Sequence, residues 1–122
     1  MIIRAATRED LALAGGAVPH RLRCLALERD GATIGLVGLV HAGDGTVWGS
    51  AVFTAAARKA PIALHKAGLA VLADARARGI GRIYAYAEEH QPRAVPWLER
   101  LGFRAIDPDG RLWVWEAAPH VE

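Results

Sequence analysis

Glu88, Glu89 and His90 stand side by side immediately after Ile83-Tyr84-Ala85-Tyr86-Ala87, an alternating run that reads as a β-strand. Two carboxylates and an imidazole just past a strand occupy the edge where open α/β sheets tend to hold ligands. Such groups can take a proton from a nucleophile. His90 suits that task best by its intrinsic pKa, with Glu88 second. The same residues also read as a solvated loop in which a carboxylate favours the N-terminus of the next helix. His65, at helical spacing among apolar residues, reads as a packing or surface residue, and His20 and His41 have no recognisable partners in the sequence. Cys24 is the only cysteine, so an internal disulfide is excluded and no four-ligand zinc set is expected.

A second chemical signal is the placement of charge. Arg58 to Arg104 holds nine Lys or Arg against four acids, a segment charge of +5, while the rest of the chain is about −3. A basic segment suits an anionic ligand such as a nucleotide cofactor, and it equally suits solvated helix faces. No aromatic-basic RNA motif, zinc finger or long basic run is present, so nucleic acid is not an expected partner.

The elements that must position these groups follow from periodicity and punctuation. Ile2 to Ala6 reads as a strand, and Thr7 with Asp10 forms a capping-box pair that opens a short helix ending near Gly15-Gly16. Leu22 to Arg29, Ala32 to His41 and Thr46 to Thr54 read as a three-stranded antiparallel meander, turned at Asp30-Gly31 and at Gly43-Asp44-Gly45. Pro61 opens the longest helix, which runs to Gly79; Gly68 in its middle implies close approach of a neighbour. Arg82 to Ala87 then forms a strand reached by a parallel crossover. A helix over Pro92 to Leu101 stops at Gly102, and Phe103 to Ile106 with Arg111 to Glu116 make a hairpin around Asp107-Pro108-Asp109-Gly110. Trp113 and Trp115 project from one face of that last strand, either as packing or as an exposed aromatic surface for a dimer or partner.

A chain of 122 residues, 52% hydrophobic, is the size of one domain, and residues 1–122 are expected to form a single α/β (α+β) unit. The start of the chain runs straight into a strand with no signal-peptide core, and no apolar stretch reaches the roughly 20 residues of a membrane span. A cytoplasmic protein with no membrane association is expected.

The order strand, helix, meander, long helix, strand, helix, hairpin resembles the GNAT acetyl-CoA-dependent N-acetyltransferases. Ala75-Arg76-Ala77-Arg78-Gly79-Ile80-Gly81-Arg82-Ile83-Tyr84 is similar to that family's helix-to-strand passage. Pro92-Arg93-Ala94 with Leu98-Glu99-Arg100-Leu101-Gly102-Phe103 is similar to the end of its second conserved block, and the likeness spans roughly Ile2 to Trp115. The resemblance implies a mixed sheet whose fourth strand diverges from the strand after the long helix, with the pantetheine arm of acetyl-CoA or CoA inserted between them against the backbone of Val52, Phe53 and Thr54. It implies that the main-chain N–H near Thr54 polarises the thioester carbonyl, and that Arg58, Lys59, Ile62 and Arg93 lie toward the cofactor. Gln91, at the family's Asn position, either bonds the arm or caps the last helix.

The sequence also departs from the family's pattern. Lys59 takes the basic position of the pyrophosphate loop, Ile62 and Leu64 take its glycine positions, and Pro61 sits between them. Thr46-Val47-Trp48-Gly49-Ser50-Ala51 carries no carboxylate, and Leu98 stands where the family's Tyr would. The resemblance implies direct acetyl transfer from acetyl-CoA to a small-molecule or peptide amine; the short stretch Arg8 to His20 before the meander gives a short acceptor-side region, and the tryptophans leave a homodimer open. The departures support a rival, a catalytically inactive binding or structural form of the fold, of phage or mobile-element origin.

Overall fold

The computed structural model describes residues 1–14, 21–88 and 91–117. Seven strands form one mixed sheet: β1 (Ile2–Ala5), β2 (Arg21–Arg29), β3 (Ala32–His41), β4 (Val47–Phe53), β5 (Arg82–Tyr86), β6 (Arg104–Ala105) and β7 (Leu112–Glu116), in the spatial order β1-β2-β3-β4-β5-β7-β6. Three helices accompany it: α1 (Ala55–Arg58), α2 (Pro61–Ala77) and α3 (Ala94–Leu101). This is the expected α/β architecture: an antiparallel meander, one long crossover helix, a second helix and a terminal hairpin.

The meander is held in register by its turns. Asp30 and Gly31 both have positive φ, 52° and 80°, which is the backbone a two-residue hairpin needs to match strand twist. At the other end of the chain, Asp107 Oδ1 accepts from the N–H groups of Arg111 at 2.9 Å and Leu112 at 3.0 Å, fixing the β6–β7 turn.

α2 forms because Pro61 is tolerated in its first turn, where its missing N–H would lack a partner anyway. It buries Leu64, Ala67, Gly68, Leu72 and Ala75 and ends with Gly79 N–H on Arg76 C=O at 3.2 Å and Ile80 N–H on Ala75 C=O at 3.0 Å. Its N-terminal half packs with Leu27, Ile34 and Val37 of the meander. Its C-terminal half packs with Leu39, Ile83, Ala85, Trp113 and Trp115. Gly68 is as tightly met as the sequence implied: a Cβ there would lie 2.9 Å from Leu101 Cδ2 and 3.2 Å from Trp97 Cζ2 of α3. α3 closes on Gly102 at φ 98°, a conformation that favours glycine, with Phe103 N–H on Leu98 C=O at 3.0 Å.

Several details differ from the sequence reading. The first helical segment is a 3₁₀ turn, Asp10–Ala14, although its capping box is present: Thr7 N–H donates to Asp10 Oδ2 at 2.6 Å and Asp10 N–H to Thr7 Oγ1 at 3.4 Å. Its expected end at Gly15-Gly16 lies outside the described residues. α1 was not foreseen. α3 begins at Ala94 rather than Pro92, and Pro96 falls in its first turn, where it costs no helical hydrogen bond. Trp113 and Trp115 are buried, 6% and 3% exposed, so they are packing residues and not a dimer surface.

Candidate cofactor cleft at the split between two parallel strands

β4 and β5 are the sheet's parallel neighbours, and they share a single registered pair, Trp48 with Tyr84. Beyond it, Ser50 to Phe53 have no registered partner on that side, so the sheet opens toward the C-terminal ends of both strands. Along β4 the main-chain groups alternate between its two neighbours. Thr54 N–H is committed to Ile34 C=O of β3 at 2.9 Å, and the Val52 pair with Leu36 shares that phase. The groups facing the split are therefore those of Ala51 and Phe53. This redirects the expectation for Val52 and Thr54, and with it the idea that Thr54 N–H polarises a carbonyl: that donor already has an acceptor.

Thr54 has a different task. Its Oγ1 donates to Ile34 C=O at 2.8 Å and accepts from Ala57 N–H at 3.4 Å, capping α1. A Thr followed by three alanines is the sequence signal for such a turn. α1 carries Arg58 and Lys59 to the start of α2, where no side chain caps the helix; Leu64 N–H is the first to find a helical acceptor, Ala60 C=O at 3.1 Å. The N–H groups of Ile62 and Ala63 thus end the helix at a cleft of about 360 Å³, lined by Met1, Ile3, Arg29, Lys59, Ile62 and Lys66 among others.

This is where unpaired positive charge gathers. Elsewhere in the basic segment, Arg78 pairs with Asp74 at 3.0 Å, Arg82 with Glu116 at 3.1 Å, Arg104 with the same Glu116 at 2.5 Å, and Arg76 lies 5.3 Å from the centre of the Trp115 ring. Bonds from Arg104 and Arg82 hold the Glu116 carboxyl below its ordinary range. Among the described residues, Arg29, Lys59 and Lys66 at the cleft form no ion pair, nor do Arg8, Arg58, Arg93 and Arg100 away from its lining. The side chains at the lost glycine positions leave this cleft passable: Leu64 turns into the core, 9% exposed, and Ile62 turns outward, 73% exposed.

The proton-handling candidates are placed unequally. Glu88 is exposed just past β5, its C=O accepting Gln91 N–H at 3.0 Å. Glu89, His90 and His20 lie outside the described residues. Gln91 is half-buried, and α3 begins without a side-chain cap, so capping is not what Gln91 does. Arg93 is the exposed residue at the start of α3. Leu98 is buried in the core at 8% exposure, among Ile83, Ala85 and Phe103.

Two features were missed from the sequence. Asp10 is buried, 7% exposed, and its carboxylate takes Arg4 in a bidentate pair at 2.7 and 3.1 Å, together with the hydroxyls of Thr7 and Thr33. The Arg4 bonds, then those from Thr33 and Thr7, hold this carboxyl well below the usual range. On the sheet face opposite α2, Trp48 and Tyr84 rings lie 5.4 Å apart, and Tyr86 on the same face is 60% exposed.

No protein-family model and no curated protein matches this sequence. Solved structures do. A putative acetyltransferase of Salmonella typhimurium, in a structure with its cofactor acetyl-CoA, is 17% identical with a TM-score of 0.73, covering 100% of this chain and 96% of that one. A ribosomal-protein-alanine N-acetyltransferase of Brucella melitensis is 15% identical with a TM-score of 0.72, covering 96% and 100%. An aminoglycoside 6′-N-acetyltransferase of Enterococcus faecium is 12% identical with a TM-score of 0.70 over the whole of both chains. The chain has the GNAT fold. Among the described residues, no helix is long and apolar enough to cross a membrane.

Proposed function

We propose that this chain is an acetyl-CoA-dependent N-acetyltransferase, cytoplasmic and composed of one domain, that moves an acetyl group directly to an amine acceptor. The observations that carry this reading are the open split between β4 and β5 and, on the β1–β2 side of the sheet, a cleft at the start of α2 lined by Arg29, Lys59 and Lys66. A flat amide-bearing arm is matched by the free main-chain groups of Ala51 and Phe53, as a strand added to an open edge. Phosphates are matched by Arg29, Arg58, Lys59 and Lys66 beside the N–H groups of Ile62 and Ala63. The fold's relative in Salmonella typhimurium holds acetyl-CoA, which supports the same ligand here.

Acetyl-CoA supplies an acetyl group activated as a thioester; the chain's residues bind it, orient it and handle protons. Phe53 N–H, facing the split, is the donor placed to polarise a carbonyl, in place of the occupied Thr54 N–H. Glu88 and His90, past the end of β5, are the groups that take the amine proton. Their burden depends on the acceptor: a lysine-like amine with pKa about 10.4 is neutral in fewer than about one molecule in a thousand at pH 7, an α-amine near 8 in about one in ten. A thiol of pKa about 8.5 leaves as its anion, so the Leu98 position needs no proton donor. A small-molecule or peptide amine fits the short acceptor side.

A second reading, a non-catalytic binding protein on the same fold, is favoured by buried Leu98 and by the lack of any carboxylate on β4. Calorimetric titration with acetyl-CoA and with CoA, at low and moderate salt, followed by an acceptor-amine screen, separates the two. Saturable, salt-weakened binding near one ligand per chain together with turnover is expected. Binding without turnover establishes the second reading, and no binding at millimolar ligand overturns both the cofactor and the activity.

A further inference from the structure

Among the described residues, two buried side-chain nitrogens lack partners, Trp97 Nε1 on α3 and His65 Nδ1 on α2. Native interiors rarely leave such groups unpaired, so each asks for a missing partner. Trp97 lies beside the split. The Trp97 ring stands edge-on to Phe53, centroids 5.6 Å apart, and Phe53 is the last residue of β4, beyond the Trp48–Tyr84 pair. The same indole leans on α2 at Gly68, where a Cβ would come within 3.2 Å of Cζ2. His65 lies on that side of α2, one turn nearer the cationic cleft.

Resting on the reading above, we propose that Trp97 is a ligand-contacting residue: its indole N–H is reserved for an amide carbonyl of the pantetheine arm, and His65 serves the same arm one turn along. An indole N–H only donates, while an imidazole nitrogen either donates or accepts. A chain of secondary amides offers both complements, C=O and N–H. Because Trp97 Nε1 is sealed from solvent while Phe53 touches the Trp97 ring, the ligand reaches it by opening that aromatic contact. The close approach at Gly68 gives the indole its seat between the helices.

The test reads the indole N–H signals of the ¹⁵N-labelled protein during titration with acetyl-CoA and, separately, with adenosine 3′,5′-bisphosphate, which has the phosphates but no arm. The resonance absent from Trp97→Phe is expected to move downfield with acetyl-CoA and to stay in place with the bisphosphate. Trp97→Phe and His65→Phe are each expected to weaken acetyl-CoA binding roughly 3- to 10-fold, the size of one or two hydrogen bonds, with bisphosphate affinity unchanged. Should Trp97→Phe not fold, the signal is assigned by elimination from Phe substitutions at the other three tryptophans. Acetyl-CoA binding with an unmoved Trp97 signal and unaltered variant affinity overturns this inference and leaves the proposed function standing. Absence of any acetyl-CoA binding overturns both.

Discussion

Replacing Asp10 by Asn keeps the shape of the side chain and removes its charge. The wild-type carboxylate accepts from Arg4 at 2.7 and 3.1 Å, from Thr7 N–H at 2.6 Å, from the Thr7 hydroxyl at 3.0 Å and from the Thr33 hydroxyl. Removing one member of a buried ion pair costs about 3–5 kcal/mol when the other charge is stranded. Arg4 is not stranded: it keeps Glu28 at 3.0 Å, and its side chain is 31% exposed. The loss is therefore about 2–3 kcal/mol, or roughly 6–15 °C in melting temperature for a chain of this size. The pH dependence has a definite sign. Asp10 titrates lower in the folded protein than in the unfolded chain, where an Asp has pKa about 3.9. Its contribution is complete above about pH 5 and is lost as pH falls toward the folded value. Urea midpoints at pH 7, 5 and 3.5 for wild type and D10N should thus converge on acidification. A D10N melting within about 1 °C of wild type at pH 7, or a gap that widens in acid, refutes the reasoning.

Two other outcomes follow from the geometry. Replacing Arg29, Lys59 and Lys66 together by Ala should weaken acetyl-CoA binding by roughly tenfold or more at low salt and flatten its salt dependence, read by calorimetry, with the melting temperature unchanged; equal affinity removes these residues from the phosphate site. Gly38→Ala should destabilise by about 1–3 kcal/mol, because the added Cβ would run into Cys24 Cβ and the Arg23 carbonyl oxygen across the β2–β3 ladder. A chemical denaturation midpoint equal to wild type would show that the ladder yields easily there.

Local signals carried most of the fold. Asp30-Gly31, Pro61, Gly79 and Gly102 each act within a few residues, and the elements they bound begin or end where their chemistry requires. The short helix after Thr54 was legible in principle, since Thr before three alanines is a cap before the best helix formers. The 3₁₀ turn at Asp10 was not, because its shape is set by a pairing with Arg4 and Thr33, and no periodicity encodes that distance in sequence. The candidate site divides the same way. Lys59 and Ile62 were visible from alignment to a motif, whereas Arg29, Lys66 and Met1 join the cleft only because the meander brings β1 and β2 beside α2. The phase of main-chain bonding along β4, which assigns Ala51 and Phe53 to the split, depends on register with β3 and has no signature in residue type.

Because Trp48 and Tyr84 make the one registered pair between β4 and β5, the sheet consists of two ladders joined by a single rung. β1 to β4 belong to one, and β5, β7 and β6 to the other, with α2 laid across both. Two apolar clusters underlie the sheet: Leu39 of β3 and Val47 of β4 pack with the β5 and β7 side chains, and Val71 of α2 touches both clusters. The first ladder assembles from contacts short in sequence, so little loop-closure entropy opposes it. The second pairs within residues 82–116, and only its junction with β4 needs α2 to cross over; amide exchange that separates the two ladders is the expected mark of that single joint. The joint proposed to admit a ligand is therefore also the place where the two ladders are held together by the fewest main-chain bonds.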